Sequence, residues 1–207
     1  MPMNSSAIVD LLAEQGYAVV PDFIGTAEAE ALARVARQLR EGGLMRRAGV
    51  GKGVGNAVND SLRGDFIHWL DHSAPGSEQQ AAYFEALESL RQAVNQGLYL
   101  GLFDFEGHFA IYPAGGFYRK HIDRFRNDSR RTLTAILYLN QDWQEADGGK
   151  LRLYLEESGE GDFLDIEPRA GTLVTFLSSR FWHEVLPATT ERISITGWFR
   201  TRGEESL

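Results

Sequence analysis

The 207-residue sequence contains no cysteine. Disulfides, zinc–thiolate centres and iron–sulfur clusters are thereby excluded. Any metal held here must do without thiolate ligands. No apolar run approaches the roughly 20 residues of a membrane-spanning helix. The amino-terminal MPMNSSAIVDLLAEQG has no basic stretch leading into a long apolar one, so neither a membrane anchor nor a signal peptide is expected. A cytoplasmic location is the expectation. Positive charge is also scarce: 21 Lys and Arg against 29 Asp and Glu leave a net charge of -8. That argues against a general nucleic-acid binder, while leaving room for a local basic patch.

What remains is an ordinary globular composition, 43% hydrophobic and 24% charged. The length suits one domain with one large core, expected as a monomer. Ile8, Leu11 and Leu12 follow a helical spacing, with Ser5 or Ser6 as N-cap. GYAVVPDFI reads as a short buried strand. GTAEAEALARVARQLREGG is a helix that Thr26 can cap, with Leu32, Val35, Ala36 and Leu39 as its inner stripe and Gly42 as its stop. Residues 46–65 are glycine-rich and polar, expected as a mobile loop or a long irregular hairpin. DFIHWLD is a short strand. Residues 78–100 form another helix, with Tyr83, Leu87, Leu90, Val94 and Leu98 on one side.

From about residue 103 the pattern changes. Short segments rich in β-branched and aromatic residues are punctuated by Gly, Pro, Asn and Asp, as in an antiparallel sandwich or barrel. Helices followed by many strands point to an α+β, mainly β fold with helices packed outside. Residues 1–100 are then helical support with the 46–65 loop, and 103–200 the β core of a single domain.

The chemistry centres on YRKHIDRF, residues 118–125. His121 and Asp123, two apart, share one side if they lie on a strand. An isolated His-x-Asp is more often a solvated pair at a strand end. FWHEVLPATTERISITGWF changes the weighing. His183 precedes a turn, and on the return strand Arg192, Ser194, Thr196 and Trp198 alternate with Ile193, Ile195 and Phe199. A polar inward face lines a ligand cavity rather than a dry core. Two histidines and one carboxylate make a non-haem Fe(II) facial triad with open positions for O2 and a bidentate organic acid. Arg192 is the natural partner for that acid's far carboxylate.

His-x-Asp, a histidine some sixty residues on and an arginine nine further resemble the Fe(II)/2-oxoglutarate-dependent oxygenases. More narrowly, LRGDFIHWLD, YPAGGFYRKHID, ILYLNQDW, GGKLRLY, DIEP and HEVLPATTERISITGWF, in that order, are similar to the oxygen-sensing prolyl-hydroxylase-domain group and its bacterial members. The resemblance implies a double-stranded β-helix (jelly-roll). It implies His121, Asp123 and His183 as iron ligands, Arg192 and Tyr138 on the 2-oxoglutarate C5 carboxylate, and Tyr112 beside the cosubstrate. Thr196 and Trp198 would line the pocket. Asp65 and Arg131 would form a pair linking the 46–65 loop to the barrel near the substrate entrance, and Tyr118 would face the substrate. The implied reaction is 4-hydroxylation of a prolyl residue in a protein, with O2 consumed, succinate and CO2 released and ascorbate in a supporting role. Elongation factor Tu is the substrate to test first. His108 stands where the resembling proteins are usually apolar.

Three other patterns carry less. GVGKGVG (49–55) lacks the G-x-x-x-x-G-K-[ST] order of a phosphate loop. HEVLP lacks the second histidine of a zinc protease. The basic run 119–131 better suits guidance of an acidic substrate or the cosubstrate than nucleic acid. His68 and His72 read as structural or solvent-facing. The rival readings are a same-fold oxygenase of a free amino acid or other small molecule, a non-catalytic oxygen- or ligand-sensing barrel, and a cupin-like zinc hydrolase or isomerase.

Overall fold

The computed structural model describes residues 5–50, 57–58, 61–123 and 130–203. Three helices precede the β core: α1 (Ser5–Gln15), α2 (Thr26–Glu41) and α3 (Glu78–Leu98). In α2 the apolar stripe Ala29, Leu32, Ala33 and Ala36 is buried, while Val35 and Leu39 pack at its margin. The expected Thr26 cap is corrected. Thr26 is the first helical residue, Gly25 is the cap, and no side chain caps the helix; the Gly25 carbonyl simply accepts from Ala29 N–H at 3.0 Å. Gly42 ends the helix as expected. The opening of α3 does have a side-chain cap, since Ser77 Oγ accepts from Gln80 N–H.

Short strands β1 (Tyr17–Val20), β2 (Arg46–Arg47), β3 (Gly49–Val50), β4 (Ala57–Val58) and β5 (Phe66–Trp69) lie among the helices. The core strands are β6 (Leu102–Tyr112), β7 (Tyr118–His121), β8 (Arg131–Tyr138), β9 (Leu151–Tyr154), β10 (Phe163–Ile166), β11 (Leu173–Leu177), β12 (His183–Val185) and β13 (Arg192–Thr201). The eight core strands divide into two antiparallel groups of four, β11-β8-β13-β6 and β10-β9-β12-β7, the double sheet of a jelly roll. The first group is widened by β1 at one edge and by β5 and β2 at the other. The amino-terminal half therefore contributes sheet edges as well as helices. β3 and β4 pair as a separate two-stranded unit; the rest of the 46–65 segment is described only at 46–50 and 61–65.

Alternation along the long strands divides the core in two. Phe109, Ile111, Leu133, Leu137, Ile193, Ile195 and Phe199 face the helices and join their stripes. Ala110, Tyr112, Ile136 and Tyr138 face the opposite sheet with Leu151, Leu153 and Val185. Adjacent strands come close where Gly107 and Gly197 pair across β6 and β13 with the Phe105 ring lying against them. A Cβ at Gly107 would come within 2.6 Å of that ring. Among the described residues, no helix is long and apolar enough to cross a membrane.

Candidate active site

Between the two sheets lies a cavity of about 210 Å³, lined by residues of both. His121 ends β7 and His183 opens β12, and the two are directly paired across these strands, their ring centroids 4.2 Å apart. Asp123 follows His121 beyond the strand end. The Nε2 atoms of His121 and His183 stand 3.6 and 3.5 Å from the two Asp123 carboxylate oxygens. One ligand atom from each residue falls within a common 4.8 Å.

The surroundings orient these groups for a metal. Nδ1 of His121 lies 2.8 Å from the Arg119 carbonyl, and Nδ1 of His183 lies 3.1 Å from that of Phe181. With each Nδ1–H donated to a carbonyl, the Nε2 lone pairs are left for the ion, the usual arrangement for metal-bound histidine. Asp123 is fixed by Thr134, whose Oγ1 donates to Oδ2 at 2.8 Å and also meets Ser178 Oγ at 2.8 Å. Burial would raise the Asp123 pKa, but His183 and His121 hold it far below the ordinary carboxylate range. Burial and the facing His121 push His183 down to about 4. A carboxylate and neutral imidazoles are the protonation states that bind a cation. The donor set, two nitrogens and one carboxylate with no sulfur, fits Fe(II).

Deeper in the site stands Arg192, 1% exposed. Its Nε donates to the Gly149 carbonyl at 2.9 Å. Gly149 has φ +62°, and a Cβ there would come within 2.9 Å of Ala188 and 3.2 Å of the Arg192 side chain, so the close approach needs glycine. The guanidinium lies 5.0 Å from the Tyr138 ring and 5.2 Å from that of Tyr112. Among the described residues no carboxylate forms an ion pair with it. The Tyr138 hydroxyl, fully buried, has no hydrogen-bond partner there; burial, opposed by Arg192, pushes its pKa up to about 12, so it remains a donor. A buried cation and a buried donor without an internal acceptor form a seat for a carboxylate. The 2-oxoglutarate C5 carboxylate fits that seat.

Thr196, Trp198, Tyr112 and Tyr118 all line the cavity, as does Arg131. Tyr118 stacks on His121 at 3.7 Å with an interplanar angle of 17°, and the Arg63 guanidinium covers its other face at 4.3 Å. The expected Asp65–Arg131 pair is corrected. Asp65, 1% exposed, accepts from Arg63 Nε and Nη2 at 2.7 and 2.5 Å. Arg131 instead pairs with Glu106 at 2.8 Å and lies over the Trp198 ring. The reason lies in the sheet pairing. Arg63 and Asp65 are two apart on a segment bridged to β7 through Arg63 and Tyr118, whereas Glu106 and Arg131 sit on strands flanking β13.

Sequence reasoning missed Arg63, Trp69 and Thr134. Thr134 carried a legible signal, since it stands two residues before Ile136 and four before Tyr138 on one face of β8. His68 and His72 lie elsewhere: His68 Nδ1 meets the Leu44 carbonyl, and His72 packs on Phe84. Glu184 of HEVLP accepts from the Tyr154 hydroxyl. Most of GVGKGVG and residues 124–129 of the basic run lie outside the described residues.

Comparison with known proteins agrees with this geometry. The 2OG-Fe(II) oxygenase superfamily model matches residues 107–200. A Pseudomonas putida prolyl-4-hydroxylase structure is 46% identical, with a TM-score of 0.86 over 97% of this chain and 100% of that one. The chain belongs to the 2OG-Fe(II) oxygenase superfamily. A Trichoplax adhaerens prolyl hydroxylase, solved in complex with a hypoxia inducible factor oxygen degradation domain peptide fragment, is 28% identical with a TM-score of 0.83, covering 95% of this chain and 88% of that one. Human Egl nine homolog 1 is 33% identical over 93% of this chain and 45% of its own length. The chain spans about half the length of the first curated relatives it matches.

Proposed function

We propose that this chain is an Fe(II)- and 2-oxoglutarate-dependent prolyl 4-hydroxylase acting on a proline within a protein. One observation carries the reading. A single cavity is lined by the His121–Asp123–His183 cluster and by the buried Arg192, with the Tyr138 ring 5.0 Å from the Arg192 guanidinium. A pure binding barrel needs neither.

His121, Asp123 and His183 would hold the iron; Arg192 and Tyr138 would hold the cosubstrate's far carboxylate, with Tyr112 alongside. When bound, iron and 2-oxoglutarate supply the oxidation by which O2 hydroxylates a C–H bond while succinate and CO2 are released. The chain's own residues position and exclude. Thr134 keeps Asp123 facing the histidines. Leu151, Val185 and Ile136 form a dry wall beside them. Arg192 and Tyr138 fix one end of the cosubstrate, so its other end is directed toward the triad. Arg63, held by the buried Asp65, and Tyr118 frame one side of the entrance, and Arg131 another; Arg63, Tyr118 and Arg131 are the groups for the incoming chain. The prolyl-hydroxylase relatives, one seen with a peptide, support a protein substrate.

Elongation factor Tu is our candidate substrate. Purified protein with Fe(II), 2-oxoglutarate and elongation factor Tu is expected to add the mass of one oxygen atom to a proline, with one succinate formed per modification. Succinate formation that is not raised by elongation factor Tu, with its prolines unmodified, would remove that substrate. A search of cell extract for oxidised proline would then supply another.

A further inference from the structure

His108 is a buried polar residue in the cavity that neither the metal cluster nor the carboxylate seat uses. It is 3% exposed and lines the cavity. Its Nδ1 is buried and has no hydrogen-bond partner among the described residues. An unpartnered buried polar atom is costly unless something accounts for it. Burial, with Arg63 and then Arg131 adding to it, pushes the imidazole pKa down to about 3, so the ring offers one N–H and one lone pair.

The register places it on the substrate's route rather than the cosubstrate's. Trp69 on β5, His108 on β6, Thr196 on β13 and Ile136 on β8 are consecutive partners in one row across the sheet. Trp69 at the edge is 39% exposed and marks the outside. Arg192 lies four residues from Thr196 along β13, roughly 13 Å away at strand spacing. His108 therefore belongs to a different end of the cavity from the carboxylate seat. Its ring forms a triangle with two indoles, 4.9 Å from Trp69 and 5.7 Å from Trp198, which are themselves 6.5 Å apart. These rings fix the plane of the imidazole and leave its hydrogen bonding to a guest. A chain entering past Trp69 presents aliphatic ring carbons and carbonyls at a proline, because proline has no backbone N–H. Carbonyls are the groups an imidazole N–H can meet there.

We propose that His108 is a substrate-binding residue that donates a hydrogen bond to a main-chain carbonyl flanking the target proline. This rests on the prolyl-hydroxylase reading of the site. It makes His108 a discriminator between a peptide-bound proline and a bare pyrrolidine ring.

The test uses full-length protein loaded with Zn(II) and 2-oxoglutarate, so that binding is read without turnover. Two probes are titrated against protein carrying isotope-labelled histidine: N-acetyl-L-prolinamide, with a carbonyl on each side of the ring, and pyrrolidine, with none. The His108 resonances should move with the first and stay with the second. His108→Met should bind N-acetyl-L-prolinamide roughly tenfold more weakly. His108→Gln, which keeps a donor, should stay near wild type, and 2-oxoglutarate affinity should be unchanged in both. Equal binding by wild type and His108→Met, an equal response to pyrrolidine, no binding of the prolinamide by wild type, or a matching loss of 2-oxoglutarate affinity would each overturn the assignment. Proline oxidation by the iron-loaded wild type is measured separately. A protein that oxidises proline yet fails this test loses only the role of His108.

Discussion

The floor and the entrance of the cavity are built differently. The floor is made where two long paired strands meet. Arg192 opens β13 and Tyr138 closes β8, both all but fully buried, and between them Ser194 is paired to β6 on one side and to Tyr138 on the other. The entrance is made by the four-residue β7 and the segment leading into β5. Arg63 and Asp65 hold one another, Arg63 covers Tyr118, and Tyr118 covers His121. The floor owes its shape to the sheet, whereas the entrance owes its shape to charge pairs and stacked rings. The division suits a protein that binds one constant cosubstrate deep inside and a chain of variable sequence at its mouth.

Four substitutions probe that difference. The largest effect belongs to the metal cluster that joins the two regions. Asp123→Ala should abolish turnover and iron binding while leaving the far-ultraviolet dichroism unchanged. Retained stoichiometric iron would break the assignment. Next is the entrance. Arg63→Ala leaves a buried carboxylate without its cation, so a loss of ~3–5 kcal/mol in unfolding free energy is expected. A denaturation midpoint at the wild-type value would mean that the entrance does not depend on this pair. At the floor, Arg192→Ala should raise the 2-oxoglutarate dissociation constant at least roughly tenfold, since a charge-assisted hydrogen bond is worth ~1.5–3 kcal/mol. Iron affinity should barely change, and calorimetry with each ligand separates the two. The smallest effect comes from the support beneath the metal: Thr134→Val should weaken iron binding by no more than roughly tenfold, the low end of the range for a residue orienting a metal ligand. A metal titration matching wild type would show that Asp123 needs no such support.

The same contrast explains what the sequence disclosed. The floor was legible because strand alternation is a strict period of two. Arg192, Thr196 and Trp198 announced an inward polar face beside outward Ile193, Ile195 and Phe199, and the structure places both faces so. The grouping of His121, Asp123 and His183 was legible from their donor chemistry and the family resemblance, whereas the pairing of β7 with β12 that brings the two histidines face to face is seen only in the structure. Thr134 was equally periodic, but a threonine on a strand does not declare its partner. The entrance was harder. Arg63–Asp65 and Arg131–Glu106 are both chemically reasonable ion pairs, and composition alone does not choose between them and Asp65–Arg131. The choice depends on the bridge from Arg63 to Tyr118 and on which strands flank β13, both long-range facts. The helix stripes were read well, but the α2 cap was not, because Gly25 and Thr26 are both acceptable cap residues and only the backbone distinguishes them.

The central claim is that one cavity couples an iron-bound O2 reaction to a proline presented at its mouth. Its most direct test supplies isotopically heavy O2 to the iron-loaded protein with 2-oxoglutarate and elongation factor Tu, or the protein recovered from extract in its place, and reads the label by mass spectrometry. The account predicts one heavy oxygen on a proline of the substrate, with none transferred by the Asp123→Ala protein. Succinate produced at the full rate with no label on any proline would contradict it.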